Sequence, residues 1–423
     1  MTLLIVAVSM FAMLSMAVLA LDVVSLYVAK DQAQEAADAA ALAGAEVLEL
    51  SGTTSVPLSV PLSSVCNGSS AKADLWAQAV AAQNHIVGVS PTTVTTLCPT
   101  SAPAHNPYIR VTVSRGGLPT FFSRIWSGGA ISVSATASAE AYNPSFDAAN
   151  PGGPPIQIHG VKPWLVSNCN MCGLAEPLYF DSNYAIARGG SFIGQPVTLT
   201  LITSSTVPTV PGPPAPPAPP LPSPTAQFYA LDGPAPLYCP SSSAVSCGQI
   251  GTGTPGLNYH DNIACENGFN FSNGQLVGPG QTWWVDTRSA GNLHARTIPG
   301  TTCLIHADTV GSGLGQDSFT VGLPVTITGG YNNPNPSLRL VDGIHRSDSV
   351  VTVPVFNCPS VGTCDGTAQL PIVGFLQLGI QDVTATGDLD AVILNAAGLD
   401  PASTGTPITG AGASPVPVRL IHQ

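Results

Sequence analysis

The chain has 423 residues, long enough for two or three domains, each with its own core. Only 9% of its residues are charged, and 24 acidic against 12 basic side chains leave a net charge of −12. That balance excludes nucleic acid as a partner, which needs a clustered basic face, and polybasic attachment to anionic lipid. Its 40 Pro and 43 Gly, among abundant Thr, Ser and Val, favour short strands and turns over a helical bundle.

Leu3 to Leu21 is an uncharged apolar run of the roughly 20-residue length that spans a bilayer as a helix. It flows into a stretch rich in Ala, Leu, Gln and Glu, all strong helix formers, with neither Pro nor Gly before Gly44. One helix over residues 3–49 is therefore expected to leave a membrane and continue for several turns into water. Leu26, Ala29, Ala33, Ala36, Ala37, Ala40, Ala43, Gly44 and Val47 recur at helical spacing. Small residues let helix backbones approach closely, although Ala also simply supports helicity, and the spacing does not choose between the two.

Ser51 to Ser70 reads as a Gly/Ser/Pro/Thr loop, and Ala71 to Ile86 as a second amphipathic helix. Its apolar stripe is expected to be Leu75, Trp76, Ala79, Val80 and Gln83. Thr92–Leu97, Tyr108–Ser114 and Ala130–Tyr142 alternate as strands, with a short helix over Leu118–Trp126 between the last two. The Asn-Pro and Pro-Gly-Gly-Pro-Pro turns of Asn143–Pro155 mark the domain boundary. The expected domains are 1–142, holding the helix and a small α+β head (71–142), and 143–423.

Two stretches carry a family likeness. Ala20-Leu-Asp-Val-Val-Ser-Leu-Tyr-Val-Ala-Lys30 with Gln34-Glu-Ala-Ala-Asp-Ala-Ala-Ala-Leu-Ala-Gly-Ala45 resembles the amino-terminal signature of TadE/TadG-like proteins of the tight-adherence (Flp) pilus system. Residues 108–142 resemble the strand, helix and strand that close that module. The resemblance covers roughly residues 3–142 and implies a bacterial, single-pass membrane protein with other pilus-assembly subunits as partners. Within it, Asp22, Tyr27, Ala37, Asp38, Ala40, Ala41, Leu42 and Gly44 are the candidate helix-packing residues. Such proteins carry a short basic segment before this helix, whereas no Lys or Arg precedes Leu3. The natural start is accordingly expected upstream, and the run is expected to be a retained anchor rather than a cleaved signal, since it lacks a basic leader. Some TadG-like proteins carry a von Willebrand factor A domain. Its Asp-x-Ser-x-Ser metal signature is absent here, so that activity is not carried over.

Beyond residue 143 no helical period runs for long. Short candidate strands, among them Pro196–Leu201, Gln227–Leu231, Cys303–His306, Val350–Phe356, Ile372–Ile380 and Ala391–Leu394, suggest sandwich-like or barrel-like packing. Val207–Pro224 holds Pro-Gly-Pro-Pro-Ala-Pro-Pro-Ala-Pro-Pro, an extended polyproline segment read as a loop between paired strands. The fold class is α+β: a long membrane and stem helix, a small head, and a β-rich region.

Ten cysteines, Cys66, Cys98, Cys169, Cys172, Cys239, Cys247, Cys265, Cys303, Cys358 and Cys364, all follow the apolar run. An even set points to disulfides and an oxidising, extracytoplasmic compartment. Proximity alone suggests 66/98, 239/247, 265/303 and 358/364. Cys169-Asn-Met-Cys172 has the spacing of a redox pair, but Pro163 before it and Gly173 after it do not open the helix that would lower a thiol pKa. Gly251-Thr-Gly-Thr-Pro-Gly256 meets the dinucleotide fingerprint only literally, because Pro255 and Asn258-Tyr-His-Asp oppose a helix starting there.

His260, Asp261, Asp286, His294, His306 and Asp308 are the one cluster of metal-ligand or acid–base types, without a helical His-x-x-x-His. Asp388-Leu-Asp390 lacks the Gly and further oxygens of a calcium loop. No catalytic, metal-binding or cofactor residue is therefore assigned. The expectation is a non-enzymatic, membrane-anchored component of a Tad/Flp-type pilus or related secretion apparatus. The alternatives are a surface adhesin on a Tad-like tether and, further off, an anchored hydrolase.

Overall fold

A computed structural model describes residues 2–56, 62–67, 71–99, 106–118, 131–146, 156–168, 178–202, 225–236, 258–265, 270–272, 274–308, 311, 314–357, 368–398, 408–409 and 414–421. The chain forms two compact units. One comprises Met1–Leu48, Pro61–Ala141 and Val418–Gln423; the other comprises Glu49–Val60 and Tyr142–Pro417. Two segments thus cross the single boundary expected near residue 142, each held by backbone or side-chain bonds that no local pattern announces.

In the first unit, α1 (Thr2–Leu50) is one unbroken helix of 49 residues whose last two belong to the second unit. α2 spans Lys72–Gln83. An antiparallel sheet has the order β1 (Thr93–Leu97), β2 (Tyr108–Leu118), β3 (Ile131–Ala141) and β17 (Val418–Ile421). Period-two alternation buries Ile109, Val111 and Val113 of β2 with Ala135, Ala137 and Ala139 of β3. The short helix expected over Leu118–Trp126 lies outside the described residues from 119 onward.

The stripe expected on α2 is corrected. Its buried side is Ala73, Asp74, Ala77 and Ala81, while Leu75 is 45% exposed. The physical reason is a close backbone approach: a Cβ placed on Gly44 of α1 would sit 3.4 Å from the Ala73 carbonyl oxygen. Only small side chains fit at that distance.

The second unit is β-rich. Its strands are β4 (Ile156–Ile158), β5 (Trp164–Ser167), β6 (Pro196–Ile202), β7 (Thr225–Asp232), β8 (Phe271–Ser272), β9 (Leu276–Val277), β10 (Trp284–Val285), β11 (Ser318–Phe319), β12 (Ile327–Thr328), β13 (Val350–Phe356), β14 (Leu370–Val383), β15 (Leu389–Gly398) and β16 (Ile408–Thr409). The pairing β7-β5-β13-β14-β15-β6 returns to β7 through a parallel β6–β7 ladder, Thr198 opposite Thr225 to Ile202 opposite Tyr229. The result is a closed six-stranded barrel rather than two facing sheets, and closure removes the exposed edges that a sandwich would keep. Parallel neighbours require a return connection at least one strand long. The Pro-rich run Val207–Pro224 falls in that connection, outside the described residues.

Alternate barrel residues divide between two apolar clusters. Trp164, Val166, Phe228, Val353, Val355, Leu376 and Ile393 belong to one; Leu165, Tyr229, Leu231, Phe356, Ile372 and Phe375 belong to the other. Both faces are buried, which explains the nearly continuous apolar reading of β13 and β14.

Among the described residues of this unit two α-helices pack, α3 (Asn258–Ala264) and α4 (Ala290–Leu304). α4 corrects the expected strand at Cys303–His306. Pro299 and Gly300 mark a break to a sequence reader, yet the helix runs through them with Leu293, Thr297, Thr301, Cys303 and Leu304 buried. Gly300 is needed for the contact with α3, since a Cβ there would lie 3.1 Å from Ile263 Cβ and 3.2 Å from the His260 carbonyl oxygen.

Candidate functional site: the stem helix and its sheet

The exposure of α1 changes sharply along its length. From Leu3 to Val28 the large apolar residues face outward, as at Phe11 (72% exposed) and Met16 (74%). The apolar window has a mean hydropathy of 2.6 with none of it buried, long and apolar enough to cross a membrane. Asp22 is the exception, buried at 4% exposure beside outward-facing Leu21 and Val23.

From Ala29 the small face turns inward. Ala29, Ala33, Ala36, Ala37, Ala40 and Ala41 are all fully or almost fully buried. Gly44 faces β2, where an added Cβ would stand 2.7 Å from Ile109 Cδ1. Glycine in a helix costs about 1 kcal/mol relative to Ala, so its use here reflects space rather than helicity. Polar residues on the flanks bind the sheet: Lys30 Nζ donates to the Ser134 carbonyl, and Gln34 Nε2 donates to Thr136 O (3.5 Å) and to Asp38 Oδ1 (2.7 Å). Leu42 and Asp38 are half-buried at the edges of this face. Tyr27 differs from the other candidate packing residues. It is 69% exposed, because two residues of helix place it about 200° around the axis from Ala29.

A disulfide joins Cys66 to Cys98, with Cα atoms 6.0 Å apart. Asn67 repeats the link without sulfur: its Nδ2 donates to Cys98 O and its Oδ1 accepts from Cys98 N–H, both at 2.7 Å. Asn tolerates the left-handed backbone found there, φ 67°. Cys265 and Cys303 are also disulfide-bonded and share a small buried cluster with Ala264. Cys169, Cys172, Cys239, Cys247, Cys358 and Cys364 lie outside the described residues, as does the 251–256 fingerprint.

In the second unit a buried polar network centres on Glu49. Its Oε1 accepts from Gln377 Nε2 (2.5 Å) and Ser414 Oγ (2.6 Å), and its carbonyl accepts from Asn395 Nδ2 (2.7 Å). Asn395 Oδ1 accepts from Thr54 Oγ1 and Ser55 Oγ, while Asn143 Nδ2 donates to Thr54 O, Ser55 Oγ and Ala396 O. Segments 49–56, 142–145 and 414–416 are thereby fastened to β14 and β15. The sequence reading missed this set. Its signal is a polar residue inside an apolar strand run, Gln377 in Ile372–Ile380 and Asn395 after Leu394, because a buried amide must find partners.

The six candidates His260, Asp261, Asp286, His294, His306 and Asp308 do not form one cluster but have separate partners. His260 Nδ1 lies 2.9 Å from its neighbour Asp261. Asp286 takes Arg288 Nε on both oxygens at 2.8 Å. His306 Nε2 lies 3.1 Å from Asp348, Asp308 accepts from Asn332, and His294 lies against the Gly387 turn. No three His, Cys, Asp or Glu among the described residues could hold one metal ion. Asp390 accepts from Thr198 and Asp388 from Thr386, within a strand pair and a turn.

The hydrogen bond to His306 holds the Asp348 carboxyl below the ordinary carboxylate range. Burial, with the nearby Arg346 charge, lowers His345. The fold therefore prefers neutral His345. Its contribution is full above the unfolded value of about 6.5 and is lost as pH falls toward the lower folded value. Thermal melts of the second unit between pH 7 and pH 5 should show falling stability, and His345→Gln should flatten that slope.

Residues 1–47 match the family model of Flp pilus-assembly TadE/G-like proteins. The likeness is confined to the amino-terminal helix. The match ends three residues past Gly44, so it contains the apolar span and the buried Ala/Gly face but neither the sheet nor the barrel. No curated protein and no solved structure matches the chain. The match, and the one helix among the described residues long and apolar enough to cross a membrane, fit a membrane-anchored protein.

Proposed function

We propose that the protein is a non-enzymatic, single-pass component of a Tad/Flp-type pilus assembly or related secretion apparatus, with residues 51–423 outside the cytoplasm. The observation that carries this reading is α1. One continuous helix offers apolar side chains to a membrane over Leu3–Val28 and then buries a small-residue face on its own sheet. Within a TadE/G-like match, that is the form of an anchored assembly subunit. Because the Ala/Gly face is already occupied by β2 and β3, partner subunits meet the exposed membrane part of the helix or the barrel unit. The disulfides support the compartment, since such bonds persist outside the reducing cytoplasm.

Deleting the gene should abolish surface pili while leaving pilin synthesis intact, and the protein should fractionate with membranes rather than with sheared filaments. In intact cells, thiol reagents should fail to label Cys66, Cys98, Cys265 and Cys303 until a reductant is added. Undiminished piliation in the deletion strain would remove the assembly role. Labelling of those four cysteines without reductant would remove the extracytoplasmic placement.

A further inference from the structure

Between α2 and β1 the chain reverses in a two-residue turn. Ile86 N–H donates to Val89 O (2.8 Å) and Val89 N–H to Ile86 O (3.3 Å). Both central residues have positive φ, 51° at Val87 and 73° at Gly88, which defines a type I′ turn. Asn-Gly fits such a turn. A β-branched residue at its first central position is a strained outlier. Val87 bears that strain with its side chain 40% exposed, and Val89 beside it is 48% exposed, while Ile86 is fully buried. A local rule broken without a packing gain is the mark of a functional position.

The turn's placement says what it meets. Val87 N–H donates to Gln32 Oε1 at 2.7 Å. Gln32 follows the last exposed large apolar residue of α1, Val28, by four residues, or about 6 Å along the axis. The tip therefore stands about one helical turn beyond the outward-facing apolar side chains that continue past Leu21 to Val28, within the depth at which interfacial segments lie. Among the described residues no basic cluster surrounds it: Lys30 is engaged with Ser134 and its neighbour Asp31 is exposed.

We infer that the Val87–Gly88–Val89 tip is a second membrane contact, seated at the headgroup–acyl boundary of the bilayer that α1 crosses. It is apolar and indifferent to lipid charge, and it fixes the orientation of the head on the membrane. Two valines need little affinity of their own, because the anchor supplies a high effective concentration of lipid. This inference rests on the membrane-anchor reading above.

The test uses the full chain in phosphatidylcholine vesicles with an environment-sensitive fluorescent amino acid replacing Val87, Phe11 or Leu97 in separate preparations. Leu97, in the same unit, is 51% exposed and pairs through Arg110 with Ser138, four residues along β3 from the Ser134 that Lys30 meets. Lipids brominated near the glycerol backbone should quench most of the emission at position 87, mid-chain bromines should quench position 11, and neither should quench position 97. Quenching at 11 with none at 87 overturns the tip contact and leaves the anchor standing. No quenching at 11 overturns both, and equal quenching at 87 and 97 overturns the specificity of the contact. Val87→Asn, which suits the turn, should raise Tm while a probe at Val89 loses part of its quenching. A lowered Tm would overturn the claim that strain is held there for the membrane.

Discussion

Ala41→Trp should lower the stability of the first unit by about 3 kcal/mol or more, as overpacking of a closed site does, or roughly 10 °C in Tm for a unit of this size. Ala41 is fully buried, and nearby Gly44 already stands against Ile109. An indole there must push α1 off β2 and β3 or leave its rotamer wells. Tyr27→Trp, on the exposed part of the same helix, is the matched control and should leave Tm unchanged. Equal melting of Ala41→Trp and the parent would mean that the alanine face is not a packed interface.

The double variant Cys66→Ser, Cys98→Ser should be nearly as damaging. The bridge closes a loop with a sequence separation of 32, for which chain entropy gives about 3–4 kcal/mol. The reciprocal Asn67–Cys98 bonds remain in the variant and hold the native path, so the loss should appear at equilibrium rather than as misfolding. Urea titration of the full chain should show a lower midpoint for the transition of the first unit. Asn67→Ala added to it should lower the midpoint further, by about 1 kcal/mol per lost hydrogen bond. An unchanged midpoint in the double variant would show that the loop is already ordered in the unfolded chain.

How much was legible depended on whether the cause was local. α1 is written in its composition, an apolar run followed by helix formers without a breaker; β2 and β3 are written in period-two alternation, and β13 in a nearly continuous β-branched run. The buried side of α2 was not legible. Leu75 and Trp76 are its most apolar residues, but the approach of α1 at Gly44 selects Ala73, Ala77 and Ala81 instead. α4 was hidden because Pro299 and Gly300 read as a stop, while burial of Leu293 and Leu304 and contact with Ile263 outweigh that propensity. Barrel-like packing was one of the two expectations, but the strand pair that closes the barrel was hidden. Closure depends on β6 meeting β7 in parallel across the Pro-rich segment, and nothing in either strand specifies the orientation of its neighbour. Of the candidate site, spacing brought out the small-residue face but did not choose between packing and helicity. The Glu49 network left only the trace of Gln377 and Asn395 within apolar runs, and the strained Val87 left none, because the partners of each lie far off in the chain.

The pairing of β17 with β3 sets an order of events during biogenesis. Val418 meets Ala141 and Ile421 meets Ser138, so the outer ladder of the head sheet is completed only after the whole barrel sequence has been made. At the roughly 5–20 residues per second of synthesis, the roughly 280 intervening residues take about a quarter of a minute to a minute. Throughout that interval β3 offers a free row of backbone donors and acceptors. A nascent chain in that state is competent to pair with any extended segment nearby, including the same strand of another copy. A chaperone that covers β3, or a low density of nascent chains, would keep the vacancy open for the strand that belongs in it.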